Sequence, residues 1–198
     1  MFAELLATDG VEEVLEQRGT FGFMAFHGGG LEHMTDVIAR AAAERAGASY
    51  YGVHQPENLR WHIPSTEVDP AHSEKLTAFL QHVDIVITVH GFGRQGYWTS
   101  LLLGGQNRAL AGHVARHLRR ALPAYDIADD IGRIPTPLQG LHPRNPVNRP
   151  RQQGVQIELP PRVRGTSPMW WDWEPDTPVP HTLALIDGLA EAASAWPG

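Results

Sequence analysis

Three residues with the chemistry of metal ligands stand at the ends of two apolar runs. His27 and Glu32 flank a triglycine turn that follows the apolar run 21–26, and His90 closes a second apolar run at 85–89. Two imidazoles and one carboxylate make a zinc site that keeps a fourth position open for water. Water held in such a site becomes a nucleophile near neutral pH. The pattern therefore predicts a metal-dependent hydrolase.

The elements that must position these side chains alternate between strands and helices. Residues 21–27 and 83–90 are predicted as buried strands, with a helix at 33–46 after the first. Further predictions are strands at 48–53, 97–103 and 154–159, an extended segment at 58–63, and helices at 70–81, 106–121 and 179–196. This order favours an α/β fold, a doubly wound three-layer αβα sandwich with a mixed central sheet, whose ligand site lies beyond the carboxyl ends of the central strands. His27, His90 and Glu158 all fall at or near such ends.

Composition narrows the classes of function. A chain of 198 residues, 42% of them hydrophobic, is expected to form a single catalytic domain over 1–198. Cysteine is absent, so a metal must be bound by histidines and carboxylates. The net charge of −6 argues against a nucleic-acid surface. With no apolar stretch near the ~20 residues of a membrane helix and no basic N-terminal start, we expect no membrane association and a cytoplasmic location, with release by lysis.

One third of the chain departs from the overall negative charge. The stretch between residues 133 and 164 contains six arginines and a single acidic residue, Glu158, so an anionic substrate could be held there. Residues 129–151 are rich in proline and glycine and show no period. Because the strand at 154–159 resumes at once, we expect an ordered loop over the active face rather than a linker.

Six segments, in order, resemble the poly-γ-glutamate hydrolase family of phage and bacterial zinc peptidases. They run from about residue 20 to residue 164 and are 27–32 with Thr35, 62–66, 89–91, 104–105, 145–149 and 154–160. The resemblance implies a fold similar to the zinc carboxypeptidases, with zinc held by His27, Glu32 and His90. It also implies that Glu158 is the carboxylate that works on the metal-bound water.

Elementary chemistry agrees with these roles. Attack on an amide needs a base that takes the proton of the water and returns it to the leaving amine. Glu158 suits that role because desolvation in an apolar strand raises the pKa of a carboxyl group. Glycines 28–30 allow His27 and Glu32 to curl around one ion, through positive φ angles and close backbone approach.

Arginine can both grip substrate carboxylates and stabilise a developing oxyanion. Arg149 is the first candidate for both tasks, since Asn148-Arg149 resembles the Asn-Arg pair by which carboxypeptidases engage a substrate carboxylate. Arg94 and Arg162 could line the same cleft, as could Arg164, although a structural ion pair is an equal alternative for each. His62, a further candidate for substrate binding, and His142 lie in segments that could also reach the site.

Three hypotheses for the function follow. The first is a zinc-dependent amidohydrolase that cleaves γ-glutamyl amide bonds inside poly-γ-glutamate, an anionic polymer. The second keeps the zinc site but takes a small acidic amide, such as an N-acyl amino acid or a short peptide. The third is a metal-stabilised binding protein without catalysis. Manganese or cobalt could replace zinc on these ligands. The sequence leaves open the oligomeric state and the role of the tryptophan-rich segment 170–174, which could be a lid, a dimer contact or core.

Overall fold

The computed structural model describes residues 1–172 and 178–197, and a seven-stranded sheet organises them. The strands are β1 (Glu12–Glu16), β2 (Gly19–Gly29), β3 (Ala48–Gln55), β4 (Ile85–Gly91), β5 (Ser100–Leu103), β6 (Asp126–Ala128) and β7 (Gly154–Leu159). The helices are α1 (Phe2–Leu6), α2 (Thr35–Ala46), α3 (Glu74–His82), α4 (Arg108–Ala121) and α5 (Pro180–Ser194). The strand order is β1-β3-β2-β4-β7-β5-β6.

The centre of the sheet is parallel and its flanks are not. β3, β2, β4 and β7 run in one direction, whereas β1 lies antiparallel to β3, and β5 lies antiparallel to β7. From β2 the chain crosses to β3 on one side and then returns to β4 on the other. The order of the strands therefore reverses between β2 and β4, which is where open α/β sheets bind ligands, beyond the carboxyl ends of the strands.

Helices cover both faces of the sheet. β2 alternates between two apolar clusters, with Phe23 and Ala25 facing the cluster built from α2, α4 and α5, and Met24 and Phe26 facing the one built from α1 and α3. Strands buried on both faces read as continuous apolar runs, as β2 and β4 do. The predicted three-layer αβα sandwich with a mixed sheet is confirmed.

Several boundaries differ from the prediction. The helix expected at 70–81 is a 3₁₀ turn at Pro70–His72 followed by α3, because the Ser73 hydroxyl accepts a hydrogen bond from the backbone N–H of Leu76 (2.8 Å) and starts a new helix. The extended segment at 58–63 forms no strand. α1, β1 and β6 were not predicted. In the tryptophan-rich segment, Trp170 is the last residue of the 3₁₀ turn Pro168–Trp170, and residues 173 and 174 lie outside the described residues.

The loop at 129–151 is ordered, as predicted. It contains three 3₁₀ turns, Ile131–Arg133, Thr136–Leu138 and Pro146–Asn148. Through its middle part it contributes one wall of the cavity described below. Within the described part of the chain, no helix combines the length and the apolar character that crossing a bilayer requires.

Candidate metal centre

The triglycine turn brings Glu32 back to His27. The backbone N–H of Glu32 donates to the carbonyl oxygen of His27 (2.9 Å), which closes the turn at the end of β2. A side chain at Gly29, which has a φ of 65°, would place its Cβ 2.2 Å from the carbonyl oxygen of Gln55. A Cβ at Gly30 would meet the backbone of Glu57 at 2.5 Å. Close backbone approach therefore requires glycine here, together with one positive φ angle.

Both predicted imidazole ligands lie against the two oxygens of one carboxylate. His27 Nδ1 is 2.9 Å from Glu32 Oε1, and His90 Nδ1 is 3.5 Å from Glu32 Oε2. The centroids of the two imidazole rings are 4.9 Å apart, and both histidines are buried. The structure thus brings together the three side chains that the sequence singled out.

Backbone groups around this cluster determine which nitrogen of His27 carries its proton, and they hold the Glu32 carboxylate in place. His27 Nε2 lies 2.8 Å from the carbonyl oxygen of Ile63, which can only accept, so Nε2 carries the proton and Nδ1 is left for a cation. The backbone N–H of Gly91 donates to Glu32 Oε2 (2.8 Å). His90 Nε2 is buried and has no hydrogen-bond partner among the described residues.

Charge within the cluster shifts the pKa values of its members. Burial acts to raise the pKa of the Glu32 carboxyl, but the charge and hydrogen bonding of His27 and His90 outweigh it, so the pKa is lowered and the group is ionised. Burial acts to lower the pKa of His90, but the hydrogen bond and charge of Glu32 raise it above its usual value. The donor types and an ionised carboxylate fit a divalent zinc ion.

A third imidazole, that of His62, is an alternative metal ligand. The ring of His62, a predicted substrate-binding residue, is exposed and centred 4.8 Å from that of His27. Donor atoms of His27, Glu32 and His62 all lie within 4.8 Å of one another. That compact group shares two members with the predicted ligand set but has His62 in place of His90.

A cavity of about 750 Å³ opens over these residues. Its walls are formed by the ends of β2, β4 and β7, by residues 64–66, and by residues 136–142 of the long loop. His142 is part of this wall, as the sequence suggested it could be. The volume lies within the range of pockets that enclose small molecules.

Glu158, the predicted general base, lies in this cavity on β7. It is 5% exposed, and its Cα is the register partner of that of His90 on β4. Burial raises the pKa of its carboxyl, although the charge of His90 acts against the shift. Gln156 Nε2 donates to Glu158 Oε1 (2.9 Å). The group therefore has the surroundings that the sequence predicted for a base.

The predicted substrate-binding arginines lie elsewhere. Arg94 and Arg149 are exposed, and the guanidinium of Arg162 lies 5.6 Å from the ring centroid of Tyr125. Among the residues that the structure describes, none of these three lines the cavity. Their roles stay predictions.

Asn148 has a structural task. Its Oδ1 accepts from the backbone N–H of Gln106, and its Nδ2 donates to the carbonyl oxygens of Gly140 and His142. These bonds hold the loop wall in place. A direct role for Asn148 in substrate binding also stays a prediction.

Three residues at the site were missed or undervalued in the sequence. Asn145 and Gln156 line the cavity, and Gln156 could have been found because it precedes Glu158 by two positions and so shares its face of β7. The third is Arg164, which is buried and donates to the carbonyl oxygens of Leu159 and His33. Its guanidinium packs on Gly91, where a Cβ would lie 2.8 Å from Cζ.

Known proteins resemble this chain in sequence and in fold. The poly-gamma-glutamate hydrolase family model matches residues 3–169. No curated protein matches the sequence.

Three solved structures share the fold at low identity. A bacteriophage poly-gamma-glutamate hydrolase superposes with a TM-score of 0.78 at 21% identity, covering 93% of this chain and 89% of the other. YNDL in its zinc-free apo form gives 0.68 at 19% identity, with 90% and 89% covered. The Agrobacterium tumefaciens protein Atu2144 gives 0.55 at 10% identity, with 94% and 95% covered.

Proposed function

Because the chain belongs to the poly-γ-glutamate hydrolase family, we propose that it is a zinc-dependent amidohydrolase that cuts γ-glutamyl amide bonds within that polymer. The observation that carries the proposal is a buried carboxylate, Glu158, beside a cluster of two imidazoles and a second carboxylate in one cavity. This is the pairing of metal donors and base that amide hydrolysis needs. A cytoplasmic location and release by lysis remain predictions from the sequence.

His27, Glu32 and His90 would hold the metal, because both Nδ1 atoms face oxygens of the same carboxylate. Zinc, when bound, supplies a Lewis acid that lowers the pKa of a coordinated water to about 7 and polarises a carbonyl group. Glu158 takes a proton from the attacking water and returns it to the leaving nitrogen. Glu158 is 5% exposed, so the group that moves the proton is itself largely removed from bulk solvent.

Zinc content distinguishes His90 from His62 as the third ligand. We expect His90→Ala to lose the metal and His62→Ala to retain it while raising KM, because His62 is exposed on the cavity wall and suits substrate contact. Retention of zinc by His90→Ala and its loss from His62→Ala would assign the ligand role to His62.

The polymer is the most direct test of the substrate. Purified protein loaded with one equivalent of zinc should shorten poly-γ-glutamate on a gel, with an early fall in chain length that marks cuts inside the chain. Chelation should stop the reaction, and added zinc should restore it. If the length is unchanged at every metal loading, the substrate assignment is wrong.

A small acidic amide is the second candidate, favoured by two observations. The cavity has the volume of a small-molecule pocket, and the described residues of its wall include no arginine to grip a polyanion. Turnover of N-acyl amino acids without cleavage of the polymer would select this candidate. Binding of the polymer with no turnover of either substrate would instead indicate a binding protein.

If the substrate is the polymer, the predicted substrate-binding arginines would act outside the cavity. Arg149 and Arg94 are exposed, so they could contact side carboxylates of glutamates that flank the scissile bond. Arg162 would join them only if its guanidinium left Tyr125. Substitution of Arg149 by Gln should raise KM for the long polymer and leave KM for a short amide unchanged.

A further inference from the structure

Two buried amide side chains behind Glu158 form a chain of hydrogen bonds that the reaction above leaves unused. Asn145 Nδ2 donates to Gln156 Oε1 (2.7 Å), and Gln156 Nε2 donates to Glu158 Oε1 (2.9 Å). Asn145 is 2% exposed and Gln156 is 4% exposed. Hydrogen bonds shielded from water are strong when complete and costly when broken.

A backbone group sets the direction of the whole chain. The N–H of Val147 can only donate, and it donates to Asn145 Oδ1 (3.2 Å). Asn145 must therefore turn its NH₂ group towards Gln156, which in turn must present its oxygen to Asn145 and its NH₂ group to Glu158. The orientation of both amides follows from one unambiguous donor.

The loop at 129–151 supplies that donor and holds the chain in place. Asn145 caps the 3₁₀ turn Pro146–Asn148, so its side chain is fixed by the fold of the loop. Gly140, with a φ of 62°, packs on the Gln156 amide so closely that a Cβ there would lie 2.7 Å from Oε1. The position of the Gln156 amide is therefore confined, and a change of hydrogen-bond partners would exchange its oxygen and its NH₂ group in place.

We propose that Asn145 and Gln156 are positioning residues that occupy Glu158 Oε1 and leave Oε2 as the oxygen that exchanges a proton with the substrate and water. The catalytic part of this inference rests on the proposed hydrolase function. The hydrogen-bond part does not, since it concerns the fold alone. A carboxylate held by a directed donor spends less of its time in orientations that cannot react.

Asn145→Asp tests the direction of the chain. A carboxylate at this position cannot donate to Gln156, so Gln156 must turn its NH₂ group to residue 145 and its oxygen to Glu158. Two acceptors then face each other. We expect kcat to fall by about 10–100-fold with KM and zinc content unchanged, the size of effect typical of groups that orient site residues.

Asn107→Asp is the matched control. Asn107 also caps a helix, accepting from the N–H of Leu110 (2.8 Å), and its Nδ2 also donates to an acceptor, the carbonyl oxygen of Gln152 (2.8 Å). Within the described part of the chain, no hydrogen bond joins it to Glu158 and it does not line the cavity. A comparable local cost is expected, with kcat unchanged.

Unfolding in urea gives a readout that does not depend on activity. Asn145→Asp should lower the urea midpoint in the wild-type background. Adding Glu158→Gln should restore much of the loss, because the introduced amide can turn its NH₂ group to the reversed Gln156. In that background Asn145→Asp should also cause no further fall in residual kcat, since neighbours that act as a unit are not additive.

Failure of the hydrogen-bond inference and failure of the proposed hydrolase function give different results in these experiments. Equal behaviour of Asn145→Asp and Asn107→Asp, or additive losses of the urea midpoint with Glu158→Gln, would overturn the inference. A restored midpoint in a protein that cleaves no amide would support the hydrogen-bond chain and reject the proposed hydrolase.

Discussion

Two pairs of histidines have almost the same ring separation in this molecule but very different surroundings. At the carboxyl edge of the sheet, the ring centroids of His27 and His90 are 4.9 Å apart. On α4, one helical turn separates His113 and His117, whose centroids are 4.8 Å apart. The first pair faces the carboxylate of Glu32, whose side chain is 13% exposed.

The α4 pair has cationic neighbours instead. Arg116 lies 3.3 Å from His113 Nδ1, and Arg120 lies 2.8 Å from His117 Nδ1. His113 Nε2 is also engaged, by the carbonyl oxygen of Ala192 (2.9 Å). Glu191 approaches His117 to 3.7 Å but is exposed. The two pairs therefore differ in the sign of the nearest side-chain charge, which is negative beside His27 and His90 and positive beside His113 and His117.

The largest expected effect comes from removing one imidazole of each pair. His27→Ala should abolish zinc binding and reduce turnover on the order of 10³-fold or more, because several kcal/mol of transition-state stabilisation are lost with the metal. His113→Ala should leave zinc content and turnover unchanged. Elemental analysis with a polymer-length assay checks both. Zinc loss from His113→Ala alone would reverse the assignment of the two pairs.

The carboxylates beside the two pairs provide the next contrast. Glu158→Gln should retain zinc and lower turnover by roughly 10²–10⁴-fold, since it removes the proton acceptor. Glu191→Gln, next to His117, should change neither. Steady-state kinetics on zinc-loaded protein measures the difference. Full activity of Glu158→Gln would show that another group takes the proton.

Replacing a glycine near each pair by alanine should change the free energy of unfolding in opposite directions. At Gly91 a Cβ would press on the Arg164 guanidinium, so Gly91→Ala should cost about 1–3 kcal/mol of unfolding free energy and weaken zinc binding. At Gly112 on α4 the nearest atom is 3.9 Å away, so Gly112→Ala should stabilise the protein by about 0.5–1 kcal/mol. Gly93→Ala is the loop control, because, its two chain neighbours aside, no other atom of residues 1–172 or 178–197 lies within 4 Å of the added Cβ. Urea unfolding of the three variants would contradict this account if Gly91→Ala were the most stable.

The smallest expected effect is the pH dependence of the stability of the metal-free protein. The pKa of His90 is raised, since the hydrogen bond and charge of Glu32 outweigh burial, so its contribution to stability is present below pH 6.5 and is lost as the pH rises through the folded-state pKa. Burial and the charge of Arg120 lower the pKa of His117, so its contribution is present above 6.5 and is lost as the pH falls.

NMR titration of the imidazole signals after chelation should therefore give a pKa above 6.5 for His90 and a pKa below 6.5 for His117. Arg120→Gln should move the His117 midpoint upward and leave that of His90 unchanged. The reverse order of the two midpoints would show that local charge does not distinguish the pairs.

The sequence predicted the parts of the site that local chemistry determines. The apolar runs at 21–26 and 85–89 predicted buried strands, and the structure has His27 and His90 near the carboxyl ends of β2 and β4. The triglycine indicated a close backbone approach. β1 was missed because its acidic residues, Glu12, Glu13 and Glu16, hide the pattern of an edge strand, and three-residue β6 is too short to show one.

Other features depend on contacts that no local pattern encodes. Arg162 and Arg164 are two positions apart, and only the packing of the chain after β7 turns one onto Tyr125 and buries the other against Gly91. The fold of the long loop decides that Asn145 meets Gln156. The compactness of the group that includes His62 likewise arises from tertiary structure.

An anomalous difference map at the zinc edge, from crystals grown with one equivalent of zinc, tests the central claim most directly. We predict one strong peak bonded to Nδ1 of His27, a carboxylate oxygen of Glu32 and Nδ1 of His90, with Glu158 close by and not bonded to the ion. A peak between His113 and His117, or the absence of a peak at Glu32, would contradict it.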